Sequence, residues 1–327
     1  MLLSVIIPCY NEEAVITETY KRLSAVMSDL LGHSREGKNG EFINDVHTKI
    51  QEYELIFIND GSRDTTFDIL LNIAANDKKV KLLNFSRNFG HQCAVTAGLR
   101  HCKGNAAVII DADLQDPPDV IVEMLKIMDS EKANVVYGKR KHRKGETWFK
   151  LLTAKLYYRF LNSLSDVKFP TDTGDFRLID RKVIDVFNGL KEKNKYIRGL
   201  ISWMGFKQVP CYYEREERFA GETHYPFMKM LKFAMTGLLY FSKKPLKIAT
   251  TLGLLCVLLG IIYVIWVLIN WLAGAEFVHG WFTTIAMIVF FGGVQLLTVG
   301  ILGQYIGNIF DEAKNRPEYI IKDIVNE

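Results

Sequence analysis

The sequence predicts an α/β domain on a mostly parallel sheet, followed by a pair of membrane-crossing helices. Three observations carry that expectation. Short apolar runs alternate with segments of helical period through the first half of the chain. Acidic clusters close two of those runs, Asn59-Asp60-Gly61-Ser62 and Asp111-Ala112-Asp113-Leu114-Gln115. Two long stretches near the C-terminal end carry no formal charge.

The first strand is expected at residues 3–7, where Pro8 cuts the apolar run short and no basic segment precedes it. We therefore read a strand and not a signal peptide, with the domain in the cytoplasm. Helical period follows over 13–31, and residues 32–49, rich in Gly, Asn and mixed charge, read as a surface insertion. Further strands are expected at 55–58, 80–85, 107–110 and 135–137, with a helix at 67–75. At 327 residues and a net charge of +4, the chain has room for a catalytic domain and an appendage, and too little charge to argue for nucleic acid. The five cysteines are scattered without a CxxC pair, which fits a reducing compartment and argues against a zinc site. No GxGxxG or P-loop pattern appears, which excludes a dinucleotide oxidoreductase or an ATPase of that type.

Residues 147–164 and 225–241 are amphipathic and basic; the first suits packing on the sheet as well as it suits a membrane interface, while the second, beside a membrane segment, favours the interface and defines a juxtamembrane segment over 225–245. Residues 248–275 and 280–310 are uncharged and each exceeds the length needed to cross the hydrocarbon core. Spans are expected at about 248–272 and 281–304 within 246–310, leaving 311–327 as a tail. Trp266, Trp271 and Trp281 fall near the turn. Lys243, Lys244 and Lys247 precede the first span, and Lys314, Arg316 and Lys322 follow the second, so both termini are expected in the cytoplasm. Gly292, Gly293, Gly300, Gly303 and Gly307 suggest close helix contact, within the hairpin or in a homo-oligomer.

Asp111 and Asp113 end a strand two residues apart and so point to the same side, with Gln115 next in the alternation. Two hard oxygen ligands at the carboxyl edge of a sheet suit Mg²⁺ or Mn²⁺ shared with a substrate diphosphate. Asp116-Pro117-Pro118 then forces a turn into a helix. Tyr10 and Asp60, at the ends of the first two strands, outline a nucleotide pocket in which a ring flanks a base and a carboxylate meets its imide. Taken singly, each of those turns is also an ordinary strand-to-helix turn with an Asn or Ser cap.

With these residues in place, the chain resembles the membrane-anchored family 2 glycosyltransferases that load a sugar onto a polyprenyl phosphate. Among them are the dolichol-phosphate mannose synthases and, nearer, the bactoprenol (undecaprenyl-phosphate) glucosyltransferases. The resemblance rests on residues 5–13, Asn59 to Asp64, Ser86-Arg87-Asn88-Phe89-Gly90-His91-Gln92, Asp111 to Pro118, Gly174-Asp175-Phe176-Arg177-Leu178, Arg218-Phe219-Ala220-Gly221-Glu222, and the paired spans with Gly303-Gln304-Tyr305-Ile306-Gly307. It implies a GT-A (Rossmann-like) cytoplasmic domain over 1–224, an inverting transfer from a nucleoside-diphosphate sugar, and a divalent cation. UDP-glucose and undecaprenyl phosphate are the leading substrates, at the inner membrane, for O-antigen or other cell-envelope glycans. Carried over by motif, Pro8, Tyr10, Glu12, Ile58, Asp60, Asp111, Ala112, Asp113 and Arg218 would bind the nucleotide sugar, and Asp111, Asp113 and Gln115 would hold the metal. Asp113, Asp175 and Arg140 would be catalytic, Asp175 as a base or an orienting group, with a structural cap as its alternative. The acceptor phosphate is largely ionised at neutral pH and so needs no strong base; Arg140, Arg143, Lys150 and Arg177 are the candidates to face it, with a solvated or lipid-facing basic surface as the alternative reading.

Two positions depart from the family pattern: Asn59 where many relatives carry Asp, and Thr223-His224 where relatives often carry Ser-Lys. His224 supplies a cation only when protonated. Two other readings stay open at this stage. A processive polysaccharide synthase is disfavoured by the two spans and by the lack of a Gln-x-x-Arg-Trp motif, and a non-catalytic scaffold by the intact Asp111-Ala112-Asp113.

Overall fold

The computed structural model describes residues 1–31, 50–140, 173–193, 195–216, 244–273 and 280–327. The insertion at 32–49, the amphipathic segments at 147–164 and 225–241, and Arg143, Lys150, Arg218 and His224 lie outside the described residues.

Strand and helix alternate as β1 (Leu2–Cys9), α1 (Ile16–Leu30), β2 (Glu52–Asn59), α2 (Thr66–Asn76), β3 (Val80–Phe85), α3 (His91–His101), β4 (Ala106–Ile109), α4 (Val120–Glu131) and β5 (Val135–Arg140). Strands β4, β1, β2 and β3 are parallel neighbours, and Ile6 stands opposite both Ile56 and Ile109. Consecutive residues of β1 and β2 are buried, so both faces of these strands are covered. That double burial is why they read as unbroken apolar runs and not as alternating ones.

The whole sheet runs β7-β5-β6-β4-β1-β2-β3-β8, with four parallel pairings and three antiparallel ones. Three of its strands were not foreseen from the apolar pattern. β6 (Thr173–Asp180) enters antiparallel between β4 and β5 with Arg177 buried in its middle. β7 (Gln208–Tyr213) contains Pro210 and forms one edge, where a missing N–H costs little. β8 (Ile321–Val325) forms the other edge, antiparallel to β3, from residues expected to be a tail. After β6, Asp180 caps α5 (Arg181–Gly189) by accepting the Val183 N–H at 2.9 Å, and α6 (Ile197–Trp203) follows.

The described residues form two compact units, the sheet with its helices and residues 317–327 in one and the helices α7 (Lys244–Leu272) and α8 (Trp281–Ala313) in the other. Both α7 and α8 are long and apolar enough to cross a membrane. The second helix continues past the span expected at about 281–304 as far as Ala313, with Pro317 beyond it. Among the described residues, a β-carbon built at Gly292, Gly293, Gly300, Gly303 or Gly307 would meet nothing within 4 Å, so no described side chain of the hairpin packs on them.

Candidate active site

Strands β1, β2 and β4 run parallel, so the loops after them share one edge of the sheet. Pro8 and Ile58 pair across β1 and β2 and are buried beneath that edge. The two loops above them are laced together. The Asn11 N–H donates to Ser62 Oγ at 3.0 Å and its Oδ1 accepts the Arg63 N–H at 2.9 Å. The Glu12 N–H donates to Thr66 Oγ1 at 2.8 Å, and Glu13 Oε2 accepts both the N–H and the hydroxyl of Thr65. Tyr10 is left 40% exposed at the surface of this lattice, where its ring can meet a base.

Asp60 turns the other way. It is 3% exposed, and its carboxylate accepts the N–H groups of Phe89 at 2.7 Å and Gly90 at 2.9 Å. Burial pushes its pKa up and those two donors oppose the shift. The residue expected to face a base imide therefore braces the 86–90 loop.

The Asp111–Gln115 turn is fastened from both sides. The Ala112 carbonyl accepts the Thr19 hydroxyl of α1 at 2.7 Å, and the Gln115 carbonyl accepts the Glu216 N–H at 3.0 Å. Asp113 Oδ1 accepts the Gln115 N–H at 3.1 Å across Leu114, whose φ of 58° permits the tight reversal. Asp116, 1% exposed, accepts the Tyr213 hydroxyl of β7 at 2.5 Å, with Arg215 Nε at 3.8 Å.

Beside this turn lies a cluster that sequence reasoning resolved only in part. Asp175 of β6 accepts from Arg198 of α6 at 2.6 and 3.1 Å, lies 3.2 Å from His91 Nε2, and receives Gln92 Nε2 at 3.5 Å. His91 Nε2 also stands 3.8 Å from Asp111. Burial alone would raise the Asp175 pKa, but Arg198 and His91 outweigh it and hold the carboxyl well below the usual carboxylate range. Burial likewise opposes the charge on His91, yet the Asp175 carboxylate 3.2 Å away, with the charge of Asp111 beside it, lifts it to about 9. At neutral pH the cluster holds an imidazolium and a guanidinium around one carboxylate. His91 and Gln92 were legible only as part of the 86–92 motif, and Arg198 gave no signal.

Arg177 is held inside the sheet. Expected at the acceptor phosphate, it is 4% exposed inside β6 and donates to the carbonyls of Gly174 at 3.1 Å and Asp175 at 3.3 Å. Its strand position turns those donors to its own backbone. Arg140 ends β5, and its Nε is buried without a hydrogen-bond partner among the described residues.

Among the described residues no three His, Cys, Asp or Glu side chains converge to enclose a metal ion. Mg²⁺ and Mn²⁺ do not require that, since one or two carboxylates with substrate phosphates suffice. Crowding by protein raises the Asp111 pKa to about 6, with Asp175, Asp116 and Asp113 adding to the rise and His91 opposing it. Asp111 and Asp113 put two carboxylates on one turn at the carboxyl edge of the sheet, a donor set that suffices with substrate phosphates, so the residues fit a shared site.

The glycosyl transferase family 2 model matches residues 4–187, and the GtrB C-terminal hairpin model matches residues 244–309. A Bacillus subtilis protein, the uncharacterized glycosyltransferase YkcC, is 49% identical over 98% of this chain and 93% of its own length. An uncharacterized glycosyltransferase of Synechocystis is 38% identical over 98% of this chain and 95% of its own. The bactoprenol glucosyl transferase of Shigella phage SfII is 37% identical over 98% of both chains. With a mostly parallel GT-A-type sheet, an aspartate turn at its carboxyl edge and an apolar hairpin later in the sequence, this chain belongs to glycosyl transferase family 2 and is a glycosyltransferase.

Proposed function

We propose that the protein moves glucose from UDP-glucose onto undecaprenyl phosphate at the cytoplasmic face of the inner membrane, with inversion at the sugar carbon, for cell-envelope glycan modification. One observation carries this reading. The two-aspartate turn and the apolar hairpin occur together in a chain that aligns end to end with a bactoprenol glucosyl transferase.

Tyr10 flanks the base, Pro8 and Ile58 form the floor beneath it, and Asp60 sets the pocket wall through the 86–90 loop it braces. Glu12, Ala112 and Arg218 complete the donor site. Asp111, Asp113 and Gln115 would hold Mg²⁺ or Mn²⁺, which when bound offsets the charge of the departing diphosphate. Asp175 keeps His91 and Arg198 in place and takes no proton, because its pKa is held too low for a base. The imidazolium of His91 adds positive charge 3.8 Å from Asp111, on the side where diphosphate charge would develop. The acceptor phosphate, with a second pKa of about 6, attacks as an anion. Arg140, Arg143 and Lys150 are the cations offered to hold it. Lysines and arginines flank both apolar helices on their outer ends, which supports cytoplasmic termini.

The test is a radiolabel transfer assay on purified protein in detergent, offering undecaprenyl phosphate with a panel of UDP- and GDP-sugars. Label should enter the lipid fraction from UDP-glucose, and both EDTA and Asp113→Ala should abolish it. Label in a long polymer would favour a processive enzyme. No transfer from any donor would overturn the reading.

A further inference from the structure

Glu318 follows the apolar hairpin in sequence, yet its side chain is 4% exposed within the catalytic unit. It lies 2.8 Å from Arg100 Nη2, in the last turn of α3, and 3.5 Å from Lys195 Nζ, in the segment entering α6. The Lys195 side chain is 1% exposed, so that ammonium is taken out of water and balanced largely by Glu318. Glu192 adds a weaker attraction.

The opposite end of α3 and the start of α6 meet around Asp175. At the start of α3, Gln92 Oε1 accepts the Ile197 N–H at 3.0 Å, and His91 stands 3.2 Å from Asp175. One residue beyond Ile197, Arg198 grips Asp175 with two donors. The neighbours of Glu318 reinforce the grip on α3 and its loop. Tyr319 stacks on Phe85 at 5.0 Å and lies under Arg100, and the Ile320 carbonyl accepts the Ser86 N–H at 3.0 Å.

We infer that Glu318 is a positioning residue for the reaction, fixing α3 against residues 195–198 so that His91 and Arg198 close on Asp175 beside the aspartate turn. Neutralising Glu318 leaves a buried ammonium without its main counter-charge, and the segment relieves this by carrying Lys195 toward water. Arg198 is three residues further along the same backbone and moves with it. The inference rests on the proposed transfer for its kinetic consequence, but its structural consequence is independent of the substrate.

The experiment uses the full-length protein in detergent, comparing Glu318→Gln, Glu318→Asp and a Glu192→Gln control. Hydrogen–deuterium exchange and glucose transfer are read on each. In Glu318→Gln, amides of 91–101 and 195–203 should exchange faster, and kcat should fall by about tenfold or more with the donor KM within about twofold, since displacement near reacting groups costs turnover. Glu318→Asp should restore part of both, and Glu192→Gln should match the parent. Faster exchange confined to 80–85 and 317–327 with kcat unchanged would make Glu318 an edge-strand residue only and overturn the inference. So would a proportionate fall in every readout together with global unfolding in both Glu318 variants. If the parent moves no sugar at all, the proposed reaction fails, and the exchange pattern alone decides the inference.

Discussion

At Gly61 a β-carbon would stand 2.4 Å from the carbonyl carbon of Arg87 and 2.5 Å from the Asn88 nitrogen, with the backbone at a φ of 64°. Neither neighbour is a flexible side-chain tip, so the 86–90 loop itself would have to retreat. Gly61→Ala should cost roughly 1–3 kcal/mol and, by shifting the loop that Asp60 braces, should weaken UDP binding. Thermal unfolding and calorimetric titration with UDP would check both halves. Glu54 supplies a pH-dependent counterpart. It is 5% exposed and accepts the Ser4 hydroxyl at 2.5 Å and the Lys103 N–H at 2.7 Å, with Lys81 Nζ at 2.7 Å. Burial would raise its pKa, but Lys81, Ser4 and Lys103 together hold it below the ordinary 4.5. A carboxyl depressed on folding stabilises fully above its unfolded pKa and loses that contribution as pH falls through the folded value. Glu54→Gln should therefore destabilise at pH 7, on the order of 3 kcal/mol with Lys81 left unpaired, and the gap to the parent should narrow below pH 4.5. Melting curves across that range would show the convergence, and a gap independent of pH would refute it.

Elements, more than single residues, decide where the aspartate turn sits. It is slung between α1, through Thr19 and the Ala112 carbonyl, and β7, through Tyr213 and Asp116. Tyr213→Phe would leave the buried Asp116 carboxylate without its hydroxyl donor at a cost of about 1–3 kcal/mol. The turn would lose its β7 tether while β7 itself stays paired to β5, so donor KM should rise more than stability falls. The turn and β1 to β5 were legible because doubly buried parallel strands leave unbroken apolar runs, each closed by a polar loop. β6 was not, because a strand with a buried Arg177 satisfied by its own backbone carbonyls carries no apolar signature. Nor could Arg198 be found, since it meets Asp175 from a different element 23 residues away. The departure at Asn59 likewise acquires a reason only in three dimensions. Its Nδ2 donates to Asn84 Oδ1 at 2.8 Å, and Asn84 Nδ2 donates to Asp323 Oδ2 at 2.8 Å, a relay across β2, β3 and β8 that a carboxylate at 59 cannot begin.

Across the whole molecule, the catalytic unit is discontinuous in sequence: its last strand comes after both apolar helices. Pairing of β8 with β3 covers what would otherwise be an open sheet edge. It also brings the stack of Tyr319 on Phe85, and Asn326 Nδ2 donates to the carbonyls of Ala74 and Val80. Cutting the chain before Lys244 to obtain a soluble enzyme would therefore remove two things at once, the hairpin and an edge of the sheet. It would also leave Lys195, with a side chain 1% exposed, facing no Glu318. Losing the partner of a buried charge costs about 3–5 kcal/mol, which for a domain of this size lowers Tm by roughly 10 °C. A chain ending at residue 243 should melt that much below the full-length protein and should aggregate through β3. Replacing residues 244–316 with a flexible linker, so that 317–327 is retained, should recover most of the lost Tm while leaving the chain without its apolar helices. If the truncated and linked chains melt together, β8 contributes nothing to the unit, and the edge strand is a passenger of the hairpin.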